Sequence, residues 1–188
     1  MVTEMDTVFI AGSIAISRLD PRVKERISKA VGAGLSVAVG DADGADASIQ
    51  EHLASINAEQ VTVYCSGDRP RNNVGDWTVE HVYPDAAPGT RGYFTAKDLK
   101  MAAAATYGLM IWDAKSTGTL SNVIELLKAN KKSVVFVNKA KAFVTVADGR
   151  SLEQLLENMS DVAKAKAERK IALSSKIAAL NQPQYSLI

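Results

Sequence analysis

Glycine and aspartate residues cluster where an apolar stretch of the sequence ends and an amphipathic stretch begins. The cluster contains Gly40, Asp41, Asp43, Gly44 and Asp46. Glycine lets a ligand approach the backbone closely, and the amide groups at the start of a helix attract phosphate. The pattern therefore predicts a nucleotide-binding turn. It is equally typical of an ordinary strand–helix turn whose aspartates cap the helix and complement its dipole.

A second cluster of this kind follows another apolar stretch. Its residues are Ser116, Thr117, Gly118 and Thr119. The hydroxyl groups add hydrogen-bond donors to the helix amides, and together these groups can hold a phosphate. Gly12 and Ser13 form a third junction after the first apolar stretch. Since the carboxyl ends of parallel strands meet at one edge of a sheet, we expect the three junctions to lie together.

The elements around these junctions alternate between strand and helix. Short apolar runs predict strands at 7–11, 35–40, 61–65, 108–113 and 131–137, and residues at helical spacing predict helices at 21–32, 45–56, 96–105 and 120–128. Such alternation is typical of a parallel sheet covered by helices. We therefore predict an α/β, Rossmann-like, mostly parallel sheet of about five strands flanked by helices.

Residues 66–95 interrupt the alternation and are too many for an ordinary connection. Among its residues are Arg69, Arg71 and Arg91 and the aromatic residues Trp77, Tyr83 and Tyr93. Arginines and aromatic rings suit the recognition of phosphates and bases. The alternative is a solvated loop whose aromatic residues pack against the body of the protein.

The last part of the chain has a different pattern. Residues 142–146 suit an edge strand, and a long helical segment is predicted from 152 to 180. This pattern divides the chain into a Rossmann-like domain, 1–148, and a C-terminal helical extension, 149–188. A continuous helix of this length would extend beyond a small domain, so it either breaks or meets another subunit. We predict a homo-oligomer formed partly through it, the alternative being a segment folded onto its own sheet.

Composition limits the classes of partner. Lys and Arg total 22 against 21 Asp and Glu, and the formal net charge of +1 speaks against a nucleic-acid partner. The sequence shows neither a signal peptide nor an apolar run long enough to span a bilayer, so we expect a cytoplasmic protein without a membrane partner. One cysteine and two histidines suggest neither a metal site nor a disulfide framework, and no cofactor is predicted.

Four motifs in this order resemble the SLOG superfamily, whose members have Rossmann-like folds. The motifs are Gly12-Ser13, the run from Gly40 to Asp46, residues 97–101 (Lys-Asp-Leu-Lys-Met) and residues 116–119, so the resemblance covers about residues 7–137. The superfamily includes DNA-processing protein A and the Lonely Guy phosphoribohydrolases, and the resemblance implies a nucleotide or nucleotide-derived ligand. It implies a pocket of Gly12, Ser13, Gly40, Gly44, Asp46, Ser116, Gly118 and Thr119, to which we add Asp41, Lys97, Asp98 and Asn122 as ligand contacts.

The sequence departs from the superfamily pattern at an informative position. The related enzymes carry a catalytic glutamate three residues after the threonine of the Gly-Thr motif, and Asn122 stands at that position here. An amide has no useful pKa and cannot act as a base or a nucleophile. Glu125 lies almost one helical turn further on.

Two functions from different classes therefore remain open. The first is binding or sensing of a nucleotide or nucleotide-derived ligand. The alternative is an N-glycoside-cleaving enzyme, similar to a phosphoribohydrolase or a deoxyribosyltransferase, that uses a carboxylate near the anomeric carbon. The available carboxylates are Asp41, Asp46, Asp98, Asp113 and Glu125, with Asp46, Asp98 and Glu125 the main catalytic candidates.

Overall fold

The structure is a computed structural model that describes residues 5–182, in which seven strands and seven helices are found. The strands are β1 (Thr7–Gly12), β2 (Ser36–Gly40), β3 (Val61–Ser66), β4 (Thr78–Val82), β5 (Tyr107–Trp112), β6 (Ser133–Val137) and β7 (Ala142–Val146). The helices are α1 (Pro21–Gly32), α2 (Ala45–Ser55), α3 (Arg91–Ala104), α4 (Thr117–Lys128), α5 (Gly149–Leu156), α6 (Asp161–Ile171) and α7 (Leu173–Asn181).

The strands form one sheet in the order β4-β3-β2-β1-β5-β6-β7. Every neighbouring pair is parallel except β6 and β7, which are antiparallel. In the centre of the sheet, Ile10 of β1 is in register with Val39 of β2 on one side and Leu109 of β5 on the other. The predicted α/β, Rossmann-like fold class is confirmed, and β7 occupies the predicted edge position.

Strand β4 lies inside the stretch that we predicted to be irregular. Its sequence is Thr-Val-Glu-His-Val, and only Val82 is buried. An edge strand pairs on one side only, so polar residues are tolerated and the apolar pattern is weak. Pairing with β3, in which Val63 is in register with Val79, therefore defines β4 more than its own sequence does.

The sheet separates two apolar layers. In β1, Val8 and Ile10 pack with α1 and α2 on one face, while Phe9 and Ala11 pack with α3, α4 and the C-terminal helices on the other. This alternation follows from the two-residue period of a strand. Both faces of the sheet are covered, which explains the almost continuous apolar character of the central strands.

The C-terminal segment consists of three short helices instead of one long one. Ser160 caps α6, and Ala172, with a left-handed backbone (φ 49°), separates α6 from α7. Leu155 and Ala167 are fully buried in the same apolar layer as α4. Part of the apolar surface that suggested an oligomer is thus covered by the chain itself, and the homo-oligomer stays a prediction, as does the division into 1–148 and 149–188.

None of the helices within residues 5–182 is long and apolar enough to cross a membrane. The predicted cytoplasmic location stays a prediction.

Candidate functional site

The three glycine-containing junctions lie side by side at the carboxyl edge of the sheet, because β2, β1 and β5 are neighbours. After β1 the chain turns to α1 on one face, and after β5 it turns to α4 on the other face. This arrangement leaves a crevice between the ends of β1 and β5. Ligands of open α/β sheets bind in such crevices.

Ser13 joins the first junction to the junction after β5. Its backbone amide donates to the Ile111 carbonyl at 2.9 Å, and its Oγ accepts from the Asp113 amide at 3.1 Å. The same Oγ lies 3.2 Å from Thr119 Oγ1. Ser13 is almost completely buried, so these hydroxyl groups hold the two junctions together.

The glycines of the second junction are required by the packing of the protein itself. Gly44 has a positive φ of 75°, and a β-carbon there would lie 2.7 Å from the carbonyl carbon of Ile14. A β-carbon on Gly40 would lie 2.6 Å from Lys97 Nζ and would also overlap the carboxylate of Asp46. The space next to Gly40 is therefore filled by side chains of this chain.

Lys97, in α3, lies at the centre of a buried charge cluster. Its partners are Asp98 of α3, Asp41 directly after β2 and Asp46 of α2. Its Nζ is 3.2 Å from Asp98 Oδ1, 3.8 Å from Asp46 Oδ2 and 3.9 Å from Asp41 Oδ1. The side chain is only 5% exposed. Burial alone would lower the pKa of Lys97, but the three carboxylates outweigh it and raise the pKa, so the amine stays charged.

The carboxylates of this cluster do not titrate alike. Burial raises the pKa of Asp46 to about 6, against the opposing effect of Lys97, and burial also raises the pKa of Asp98. Asp41 is buried too, but hydrogen bonds from Arg71 and the charge of Lys97 lower its pKa. The pKa of Asp41 is therefore shifted in the opposite direction to those of Asp46 and Asp98.

Arg71 anchors the connection between β3 and β4 to this cluster. Its Nη2 and Nε donate to the two oxygens of Asp41 at 2.9 and 3.2 Å, and its backbone amide donates to Asp41 Oδ2 at 2.9 Å. The guanidinium also lies over the ring of Phe94, 4.6 Å from the centroid. Arg71 was among the candidate phosphate ligands, but its guanidinium is used for these internal contacts.

Gln50 of α2 holds the same connection and was not identified from the sequence. Its fully buried amide donates to the Gly40 carbonyl at 2.8 Å and to the Asn72 carbonyl at 3.1 Å, and its Oε1 accepts from the Val74 amide at 2.9 Å. A glutamine in an amphipathic helix carries no signal of such a role. Only the fold brings these backbone groups within its reach.

The start of α4 is more open than the other junctions. Asp20, Thr90, Asp148 and Ser160 cap their helices with side-chain hydrogen bonds, whereas Ser116 makes no such bond at α4. Arg91 reaches this point from α3, and its Nη2 donates to Thr117 Oγ1 at 3.1 Å. A β-carbon on Gly118 would meet only Ser116 Oγ, at 3.9 Å. Amide groups, hydroxyls and a guanidinium therefore converge beside Gly118, next to the Asp113 carboxylate, whose Oδ1 accepts from the Lys115 and Ser116 amides at 2.9 and 2.7 Å.

A groove of about 220 Å³ continues from this point between α3, α4 and the corner of α6 and α7. Asp98, Asn122 and Glu125 line it together with Gly118. Glu125 is paired with Lys128 at 3.1 Å. Most side chains of the predicted site residues thus fall into three groups: a buried charge cluster of Asp41, Asp46, Lys97 and Asp98; a hydroxyl contact between Ser13 and Thr119; and the groove, which contains Asn122 and Glu125 and which Asp98 shares.

The fold and this crevice define the protein as a Rossmann-like α/β protein with its candidate site at the carboxyl edge of the sheet. No family model matches the sequence, and no curated protein matches it either.

Solved structures that resemble this chain include two of DNA processing protein A. One is DNA processing protein A from Helicobacter pylori, reported for its single-stranded DNA binding mode, with 19% identity, a TM-score of 0.56, and coverage of 90% of this chain and 81% of that one. Another is DNA processing protein A from Streptococcus pneumoniae, with 13% identity, a TM-score of 0.55, and coverage of 94% of this chain and 62% of that one. The likeness is one of fold.

These structures overturn two predictions made from the sequence. The predicted nucleotide binding or sensing, with its N-glycosidase alternative, is wrong, because the similar structures are DNA processing proteins and one is described by its binding of single-stranded DNA. The prediction that a nucleic-acid partner is unlikely is wrong for the same reason. It used the net charge of the whole chain, which averages over the surface and says nothing of cations placed locally at the end of a sheet.

Proposed function

We propose that this protein binds single-stranded DNA at the carboxyl edge of its sheet, and that it is a member of the SLOG superfamily related to DNA processing protein A. The observation that carries the proposal is the start of α4, where Arg91 meets a helix end without a side-chain cap. A strand of DNA offers phosphates, which such a helix end binds, and a guanidinium recognises phosphate oxygens in pairs. The fold of the similar proteins supports the same partner.

The phosphate position proposed here has donors of three kinds. They are the first-turn amides of α4, the hydroxyl groups of Ser116 and Thr117, and the guanidinium of Arg91. Lys115, exposed just before the helix, adds a further positive charge. The helix dipole acts in the same direction, because its amino end is positive.

Exposed aromatic rings at the same edge suit the bases. Tyr83, which directly follows β4, is 68% exposed, and its ring is stacked with that of His81 at a centroid distance of 6.4 Å. Stacking on such rings binds bases with little sequence preference. The ends of β4 and β5 are separated by four strand spacings, about 19 Å, so one extended strand can cross the edge between them.

The direct test is fluorescence anisotropy with a labelled oligo-dT, titrated at several salt concentrations. Arg91→Ala should weaken binding about ten-fold, since it removes a charge-assisted contact. It should also make the slope of log affinity against log salt less negative by about 0.7, the value of one phosphate contact on a single strand. Lys132→Ala is the matched control, because Lys132 is exposed just before β6, at the opposite edge of the sheet.

The proposal fails if the unaltered protein does not bind oligo-dT at low salt. It also fails if Arg91→Ala and Lys132→Ala weaken binding equally, because the affinity would then come from overall charge and not from the carboxyl edge.

A further inference from the structure

The groove beside α4 has two helical walls with matched spacing. Gly118, Ser121, Asn122 and Glu125 face it from α4, and Arg91, Thr95, Asp98 and Leu99 face it from α3. Residues three and four apart share one face of a helix, so each set forms a continuous stripe. The groove opens beside the proposed phosphate position, because Arg91 and Gly118 contribute to both.

We propose that this groove receives one base of the bound strand and reads it as guanine, through Asn122 and Asp98. The inference rests on the proposed binding of single-stranded DNA and goes beyond it, since it assigns a base-specific subsite.

Asn122 is the first reason to place a ligand here. The residue is only 7% exposed and lines the groove, and its side-chain amide makes no hydrogen bond with any residue from 5 to 182. The amide atoms keep some access to solvent, since they are not among the enclosed polar atoms without a partner. Water can therefore satisfy them, and a base edge, which supplies both a donor and an acceptor in one plane, can replace that water.

Asp98 decides which base fits. Its Oδ1 accepts from Lys97 at 3.2 Å, and the side chain keeps 20% exposure on the groove side. A carboxylate offers acceptors only. Guanine is the base that presents two neighbouring donors, N1–H and the N2 amino group, while its O6 accepts from an amide such as that of Asn122.

The size and the walls of the groove agree with a single base. Its volume of about 220 Å³ lies below the roughly 300–1,000 Å³ of pockets for drug-sized ligands. Leu99, 54% exposed, and Ile171 provide apolar surface against which the faces of a base can pack. Lys170 and Lys176 lie at the far end of the groove, and neither has a carboxylate within 4 Å among residues 5–182. Both can therefore bind phosphates of the DNA strand where it leaves the groove.

The experiment compares oligo-dT with the same oligonucleotide carrying one central dG, dA, dC or deoxyinosine. The unaltered protein should bind the dG oligonucleotide about ten-fold more tightly than oligo-dT, within the range expected of one good base contact pair. Deoxyinosine, which lacks the N2 amino group, should lose most of that gain without any change in the protein.

Two variants assign the preference to the groove. Asn122→Ala and Asp98→Asn should each reduce the dG preference at least five-fold while leaving the affinity for oligo-dT within two-fold, about the size of effect of one lost base contact. Gln60→Ala is the control, because Gln60 is an exposed amide at the opposite edge of the sheet. Thermal melts of each variant establish that it is folded.

The outcomes separate the two proposals. Tight binding of all oligonucleotides with equal affinity overturns the guanine subsite and leaves single-stranded DNA binding in place. A dG preference that survives both Asn122→Ala and Asp98→Asn also overturns the subsite. Failure to bind any oligonucleotide overturns the proposed function itself.

Discussion

Replacing Lys97 by methionine tests the buried charge cluster. Methionine fills a similar volume and keeps helix propensity, so the substitution removes the charge with little change in shape. Asp41 retains Arg71 as a partner, at 2.9 Å. Asp46 and Asp98, which are 3.8 and 3.2 Å from Lys97 Nζ, lose the one cation that lies within 4 Å of them among residues 5–182.

The magnitude follows from leaving buried carboxylates without a partner. Breaking a buried ion pair from one side destabilises a protein by about 3–5 kcal/mol. With a urea slope of about 2 kcal/mol per M, a loss of about 4 kcal/mol lowers the urea midpoint by about 2 M. The loss should be smaller at pH 5 than at pH 8, because protonated carboxyl groups need no counter-charge.

Urea denaturation followed by circular dichroism at both pH values measures this loss. Lys100→Met is the matched control, since Lys100 lies one turn further along α3, is 57% exposed, and is 3.8 Å from Glu80, which is 48% exposed. Such surface pairs contribute about 0–1 kcal/mol. The double variant Lys97→Met/Asp98→Asn should be more stable than Lys97→Met alone.

Equal midpoints for Lys97→Met and Lys100→Met would refute the reasoning, because burial of the cluster would then have no energetic consequence. A loss that is the same at pH 5 and pH 8 would show that cavity formation, and not the uncompensated charge, destabilises the variant.

Three further changes test other parts of the structure. The folded pKa of Asp46 is about 6, above the usual 3.8, so the native state binds the extra proton between these values and loses stability as the pH rises through this window. Asp46→Asn should remove this fall in stability. The assignment would be contradicted if denaturation curves gave the parent and the variant the same change in free energy of unfolding between pH 4 and pH 6.5. Gly44→Ala should lower the melting temperature by the equivalent of about 1–3 kcal/mol, because φ is 75° and the new β-carbon would approach the Ile14 carbonyl. Gly32→Ala is the control: no atom lies within 4 Å of its added β-carbon, so it should be neutral or stabilising by about 0.5–1 kcal/mol. Similar melting temperatures for the two alanine variants would disprove the clash at Gly44. Gly118→Val should weaken binding of oligo-dT with little change in melting temperature, since the added atoms enter the phosphate position at the start of α4 and not the core; unchanged affinity would place the DNA elsewhere.

The elements that carry their own local pattern were predictable from the sequence. Apolar runs of strand length gave β1, β2, β3, β5 and β6, and their alternation with helices determined a parallel sheet. Strand β4 was missed because a short edge strand with exposed polar residues has little pattern. The breaks in the C-terminal segment were not located either. Ala172 adopts a left-handed backbone, and an alanine within a helical pattern gives no indication of this conformation.

Features of the candidate site likewise include some that the sequence predicted and some that only the structure shows. The sequence by itself determined which junctions contain glycine, hydroxyl and carboxylate groups, because a strand that ends before a helix has a local signature. Only the tertiary structure decided that Lys97 is enclosed by carboxylates from three segments, that Arg71 is held by Asp41, and that Arg91 reaches the start of α4. The physical reason is that burial and pairing depend on which distant segments meet, and side-chain periodicity along one segment contains no information about its neighbours across the sheet.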